Sequence, residues 1–292
     1  MLLDAAGALQ TRLSPQTMQT PFLAASAVLG CVTMGGRSVP RIAMIIFATI
    51  VAMYLGLCAA LFVFQRSLIY LPRPSALGSP ATIVKLPIAE AEVLVSVRPH
   101  DGAKALLYFG GNAEDVSLSL PSFSRNFPEH AIYLLHYRGY GGSSGTPSEE
   151  AIQKDALALF DTVHAKHPNI VVVGRSIGSG VAVYLASQRP VSRLVLVTPY
   201  YSLEELAARL YPYIPVSWLL LDKFESWRYA PRVGAPTVLV VAENDEVIPR
   251  SSTERLYASF GKGVATLKVI AGATHDTISE SPRYLEILKG EP

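Results

Sequence analysis

The pentapeptide Gly174-Arg-Ser176-Ile-Gly178 directly follows the apolar run Ile170-Val-Val-Val173 and precedes a helical pattern over Ile177–Ser187. In a strand–turn–helix setting, this G-x-S-x-G spacing exposes the serine Oγ at a helix N-terminus. The glycines let strand and helix approach where a Cβ would clash. A serine hydroxyl needs a base, and the base needs an orienting carboxylate. Two later apolar runs end in such groups. Pro236–Ala242 leads into Glu243-Asn-Asp245-Glu246, and Leu267–Ile270 leads into Ala271-Gly-Ala-Thr-His275. The order Ser176, Asp245, His275 assigns nucleophile, acid and general base, with Glu243 and Glu246 competing for the acid's role. The bland alternatives are a plain glycine-rich turn at Ser176 and a surface-loop histidine at His275.

The oxyanion of an acyl-transfer intermediate needs two backbone N–H donors. One falls to Ile177, directly after the nucleophile. Leu106-Leu-Tyr-Phe109-Gly-Gly-Asn112 supplies the other after an early strand, with Asn112 opening a helix. Asn112 N–H is the assigned donor and Gly111 N–H the alternative; alone, the segment would read as a glycine turn with an Asn N-cap.

Other clusters carry less. His136-Tyr-Arg-Gly-Tyr-Gly-Gly-Ser-Ser-Gly145 is glycine-rich, but no G-K-[ST] follows, so it reads as a structural loop near the site with Arg138 paired internally. His164 and His167 lie three apart on a helical pattern; no motif completes a metal site, and a solvated helix face is expected. Both cysteines, Cys31 and Cys58, precede Arg66. A cysteine nucleophile, a thiolate metal site and a disulfide framework are thereby excluded from the rest of the chain. No metal and no organic cofactor is expected.

The elements that must position these residues follow from apolar periodicity. Strands are predicted at Glu92–Val97, Ala105–Phe109, Ala131–His136, Ile170–Val173, Arg193–Val197, Thr237–Val241 and Ala265–Ile270. Helices are predicted at Glu149–Lys166, Ile177–Ser187, Ser251–Phe260 and Ile278–Leu288. Val-, Ile- and Leu-rich strands separated by helices indicate an α/β fold, a mostly parallel sheet covered on both faces. Chemistry then collects at the carboxyl ends of the strands.

Half of the 292 residues are hydrophobic and only 16% are charged, below the roughly 25% usual in soluble domains. Much of that excess precedes residue 72. Ile42–Gln65 runs 24 residues without a formal charge between Arg41 and Arg66. That length fits one transmembrane helix and exceeds a signal-peptide core of about 7–15 residues. Arginines flank both ends in similar number, so the side of the membrane carrying the main domain is left open. After Arg66, 21 Lys and Arg face 22 Asp and Glu, which gives no electrostatic case for nucleic acid. The expected organisation is a poorly ordered leader over 1–41, the transmembrane helix over 42–65 and one domain over 72–292. Met34 offers a second start, opening the short basic leader Met34-Gly-Gly-Arg-Ser-Val-Pro-Arg41.

With these residues in view, the sequence resembles the membrane-anchored α/β-hydrolase domain-containing proteins of the serine hydrolase superfamily. The branch with a Y-F-H-G-N-A loop, a Y-R-G-Y-G-x-S motif and a G-R-S-x-G elbow is matched by Tyr108-Phe-Gly-Gly-Asn-Ala113, Tyr137-Arg-Gly-Tyr-Gly-Gly-Ser143 and Gly174-Arg-Ser-Ile-Gly178. Phe64-Gln-Arg-Ser-Leu-Ile-Tyr-Leu-Pro72 is also similar, and the likeness covers about residues 60–290. Gly110 departs from the pattern, standing where a histidine commonly braces the oxyanion loop. His136 stands where an aspartate often precedes Y-R-G. The resemblance implies the α/β-hydrolase fold and hydrolysis of carboxylic esters or thioesters, with a small-molecule or lipid-like acyl substrate. A Tyr- and Leu-rich insertion at about 199–231 falls where such folds place a cap; an apolar lid over an acyl group and two core-packing helices are the two readings. The expected protein is a membrane-tethered serine hydrolase working through an acyl-enzyme. Serine peptidase, acyltransferase and a non-catalytic tethered binding domain are the alternatives.

Overall fold

Alternation of side chains along each strand builds a sheet with two apolar faces. In a computed structural model, which describes residues 38–76, 83–88 and 90–290, eight strands form one sheet: β1 (Ile83–Leu86), β2 (Val93–Arg98), β3 (Lys104–Phe109), β4 (His130–Leu135), β5 (Asn169–Arg175), β6 (Arg193–Val197), β7 (Thr237–Asn244) and β8 (Ala265–Thr274). Their order is β1-β2-β4-β3-β5-β6-β7-β8. β1 and β2 run antiparallel to their neighbours, and all later pairings are parallel. Ala105, Leu107 and Phe109 of β3 join one buried cluster, while Leu106 and Tyr108 join another on the opposite face. This period of two is what a pleated strand buried on both sides requires.

Helices cover both faces. The first cluster takes in Ile152 and Leu159 of α3 (Glu149–His164), Val181 and Leu185 of α4 (Ile177–Gln188) and Leu256 of α8 (Arg250–Ser259). The second takes in Phe123 of α2 (Leu120–Asn126) and Tyr284 and Ile287 of α9 (Pro282–Lys289). Ser148 caps α3 by accepting from Ala151 N at 3.2 Å, with Glu149 and Glu150 in the first turn, where carboxylates complement the helix dipole.

Four differences from the sequence reading have physical reasons. The helix predicted over Ile278–Leu288 is split into a 3-10 turn, Thr277–Glu280, and α9. Pro282 holds Ser281 extended and opens the second helix at its first turn. β1 was not predicted; it is a four-residue edge with only Leu86 buried. Asn112 does not open a helix: the next helical turn is Val116–Ser119, capped by Asp115. His167 is not on a solvated face. It is buried, with Nδ1 2.7 Å from Gly102 O and Nε2 3.2 Å from Tyr133 Oη, while His164 stacks on Phe160. No group of potential metal ligands occurs among the described residues.

The chain divides into two units, Met1–Met53 and Tyr54–Pro292. The predicted leader lies almost wholly outside the described residues, as do Cys31 and the second start at Met34. Residues Ser38–Ile69 form helix α1. Over Pro40–Ile69 it is long and apolar enough to cross a bilayer, and only 6% of its most apolar window is buried. It is therefore no core helix.

Within the larger unit, the insertion after β6 folds into α5 (Leu203–Leu210), α6 (Val216–Leu219) and α7 (Ser226–Tyr229). The end of α1 is fastened to it. Tyr54 Oη donates to Tyr213 O at 2.9 Å. Gln65 donates to Leu219 O at 3.1 Å and accepts from Leu221 N at 2.7 Å. Asp222 takes Arg66 Nε and Tyr70 Oη, each at 3.1 Å, and burial beside Asp222 pushes the Tyr70 phenol well up.

Candidate active site

Ser176 sits between β5 and α4 with φ 50° and ψ −120°, a conformation that costs a non-glycine residue about 1–3 kcal/mol. The surroundings leave it little choice. Its N–H donates to Val197 O at 2.9 Å, and its carbonyl accepts from Ser179 N at 2.9 Å and Ser179 Oγ at 2.6 Å. A Cβ on Gly178 would collide with Phe109 O, and one on Gly174 with Gly178 O. These two glycines bring β3, β5 and α4 together beneath the serine.

The parallel pairing of β7 with β8 sets the partners. Asn244 lies opposite Thr274, so the next residue on each strand, Asp245 and His275, emerges at one sheet end. His275 Nδ1 is 3.0 and 3.1 Å from the two Asp245 carboxylate oxygens, and Nε2 is 3.1 Å from Ser176 Oγ. A carboxylate only accepts, so Nδ1 carries the hydrogen and Nε2 offers its lone pair to the serine hydroxyl. Asp245 Oδ1 also accepts from Val247 N at 3.0 Å and Ile248 N at 2.7 Å, which fixes the carboxylate. The competing acids are spent elsewhere: Glu243 accepts from Gly272 N at 2.8 Å and Glu246 from the His275 N–H at 3.3 Å.

Of the two donors assigned from sequence, the Ile177 and Asn112 amides make no hydrogen bond within the described protein. The N–H of Gly111, the alternative, donates to Glu114 Oε2 at 2.7 Å. Both ends of the Asn112 side chain are held: Nδ2 donates to Ile69 O at 2.6 Å, and Oδ1 accepts from Leu71 N at 3.0 Å, Ala113 N at 3.0 Å and Tyr140 Oη at 2.8 Å. The Y-R-G-Y loop thus sits beside the site. Tyr137 Oη donates to Gly110 O at 2.9 Å, and Arg138 pairs in buried bidentate fashion with Asp155 at 2.8 and 2.9 Å.

Glu114 was missed by sequence reasoning. Its carboxylate accepts from Tyr108 Oη at 2.7 Å as well as from Gly111 N, and lies 3.4 Å from Arg175 Nη1. Arg175 also donates to the carbonyls of His275 and Asp276 at 3.2 and 3.3 Å. A side chain at position 110 would run into Val116 and Glu114. The loop without its histidine is therefore braced from below, by Glu114 and Tyr137. An acid three residues beyond Gly111 gives no sequence signal of this; only the strand pairing brings Arg175 beside it.

A cavity of about 510 Å³ opens over Ser176, reaching Asn112, Ile177 and Asp245. Its walls include Leu61 and Leu68 of α1, Leu206 of α5, Tyr211 and Leu219. Trp218, in the same insertion, does not line the cavity and is 85% exposed.

A mostly parallel sheet covered by helices on both faces, with Ser176 at a strand–helix turn and Asp245 and His275 beside it at the carboxyl ends of the strands, is the architecture of an α/β-hydrolase, and this chain belongs to that family. Family models described as alpha/beta hydrolase fold and as serine aminopeptidase, S33 match residues 104–225 and 224–282. An uncharacterized protein of Mycobacterium tuberculosis is 33% identical over 213 residues, 67% of this chain and 75% of that one. The lysophosphatidylserine lipase ABHD12 of Macaca fascicularis is 29% identical over 217 residues, covering 63% of this chain and only 54% of that protein. Among solved structures, an esterase of Pyrococcus furiosus superposes with a TM-score of 0.59 at 18% identity, over 76% of this chain and 99% of that one. That likeness speaks to the fold alone.

Proposed function

We propose that this protein is a membrane-tethered serine hydrolase that cleaves carboxylic esters or thioesters of lipid-like acyl groups. The observation that carries the reading is the continuous line Asp245–His275–Ser176, with contacts of 3.0 and 3.1 Å. In this reading Ser176 Oγ attacks the acyl carbonyl as its proton passes to His275 Nε2. Asp245 holds the resulting imidazolium through Nδ1–H. The N–H groups of Ile177 and Asn112 receive the oxyanion. His275 returns the proton to the departing alkoxide or thiolate, leaving an acyl-serine. It then takes a proton from water, whose oxygen attacks the acyl carbonyl; the acyl–Oγ bond breaks, His275 returns that proton to Ser176 Oγ, and the acid is freed.

The acyl preference rests on the cavity walls, where leucines and Tyr211 from α1, α5 and α6 surround the approach to Ser176. An acyl chain fits such a lining. In this reading residues 199–231 act as a cap, residues 72–292 form the hydrolase domain and α1 is the single membrane anchor. The ABHD12 relative, described as a lysophosphatidylserine lipase, points the same way.

The test is turnover of 4-nitrophenyl esters of increasing chain length, with an aminoacyl 4-nitroanilide alongside. Hydrolysis of the esters that is lost in Ser176→Ala supports the reading. Cleavage of the anilide alone would replace it with a peptidase.

A further inference from the structure

The surface of the α5–α6 segment carries large apolar side chains that face solvent. Tyr213 is 87% and Trp218 85% exposed, and Leu210, Tyr211 and Leu221 are each at least half exposed. A soluble surface rarely gathers such a patch without a partner.

Chain length identifies the occupant. Only twelve residues, Ile42–Met53, separate Arg41 from Tyr54, whose hydroxyl already holds the cap at Tyr213. Twelve helical residues cover about 18 Å, whereas the hydrocarbon core is about 30 Å thick and takes about 20 residues. Counted from Ile42, twenty residues end at Leu61. The stretch from Tyr54 to Leu61 must then lie at membrane depth, and the cap bonded to it goes with it. Gln65 and Arg66 hold Leu219, Leu221 and Asp222, so the cap stays with α1. Leu61 and Leu68 of α1 and Leu210, Tyr211 and Leu219 of the cap also wall the cavity over Ser176.

We infer that the exposed face of α5 and α6, with Tyr213 and Trp218 at its tip, is immersed in the lipid bilayer, and that acyl substrates enter the Ser176 cavity sideways from the bilayer between α1 and the cap. The inference rests on reading α1 as a membrane span. A second protein would satisfy the exposed patch but not the length of α1.

The chain contains two tryptophans, Trp218 and Trp227, and Trp227 is stacked on Tyr201. The experiment uses full-length protein in phosphatidylcholine nanodiscs with lipids brominated along the acyl chain. In Trp227→Phe, bromolipid should quench Trp218 emission at least twofold and the emission should be blue-shifted. A separate probe, F47W in a W218F/W227F background, reports on α1 itself. Quenching of F47W without quenching of Trp218 overturns the inference and leaves the anchor standing. A silent F47W removes the anchor reading and the inference with it. In a second arm, Tyr213→Glu/Trp218→Glu, neither of which lines the cavity, is assayed in vesicles. Hydrolysis of vesicle-borne 4-methylumbelliferyl oleate should fall at least tenfold while water-soluble butyrate turns over as before. Equal effects on both esters, or none, overturn sideways entry.

Discussion

Glu114 and Arg175 meet at 3.4 Å and tie two loops that are distant in sequence. Through Glu114 the pair holds Gly111 N beside the assigned oxyanion donor Asn112; through Arg175 it holds the carbonyls of His275 and Asp276. One ion pair thus joins the Gly110–Glu114 loop to the loop that carries His275. Glu114→Gln keeps the shape and one acceptor but loses the charge-assisted contact. We expect kcat to fall about 10- to 100-fold, below the 10²–10³ of a lost oxyanion donor, with KM changed less than threefold. Steady-state kinetics on a short ester decide it. A rise in KM at constant kcat would place Glu114 in substrate binding instead.

The three acids at the carboxyl end of β7, Glu243, Asp245 and Glu246, separate by their partners. Asp245→Asn should lower kcat by about 10⁴, because an amide at that position favours the wrong histidine tautomer. Glu243→Gln and Glu246→Gln, which meet backbone N–H groups, should cost about tenfold or less. A larger loss at Glu246 than at Asp245 would reverse the assignment.

The strained backbone of Ser176 gives a stability prediction independent of turnover. Glycine accepts φ 50° freely, whereas alanine does not. Ser176→Gly should therefore melt about 2–4 °C above Ser176→Ala, the shift expected from about 1 kcal/mol in a domain of this size. The reverse order would mean that the elbow relaxes when the serine is removed.

Burial pushes the imidazoles of His136 and His130 below their usual value, with Asp115 partly opposing the shift at His136 and Lys104 adding to it at His130. His136 is buried against Ser96 Oγ at 2.8 Å. Their native pKa values lie below the unfolded 6.5, so the unfolded chain binds more protons between those values. Their stabilising contribution is full above pH 6.5 and lost as pH falls through the native values. The melting temperature should drop between pH 7.5 and 5. In His130→Asn/His136→Asn that drop should shrink; an unchanged drop would assign it to other groups.

The candidate site Ser176, Asp245 and His275 was legible in sequence because each member follows an apolar run within its own strand-ending loop. Short-range pattern suffices for Gly174–Gly178, for Asp245 and for His275. The parallel pairing of β7 and β8 did the rest. Glu114 and Arg175 were not legible, since 61 positions separate them and only adjacent strands bring them together. The edge strand Ile83–Leu86 escaped notice because a single buried residue leaves no alternation to read. Which side chains of the insertion meet the cavity was not legible, because an apolar side chain there suits an inner and an outer face equally; Tyr211 lines the cavity while Trp218 is exposed.

The most direct test is to treat the detergent-solubilised, folded protein with a fluorophosphonate and map the adduct by peptide mass. One adduct is expected, on Ser176, absent in Ser176→Ala and strongly slowed in His275→Ala. Folded protein that fails to react, or an adduct on another residue that persists in Ser176→Ala, would contradict it.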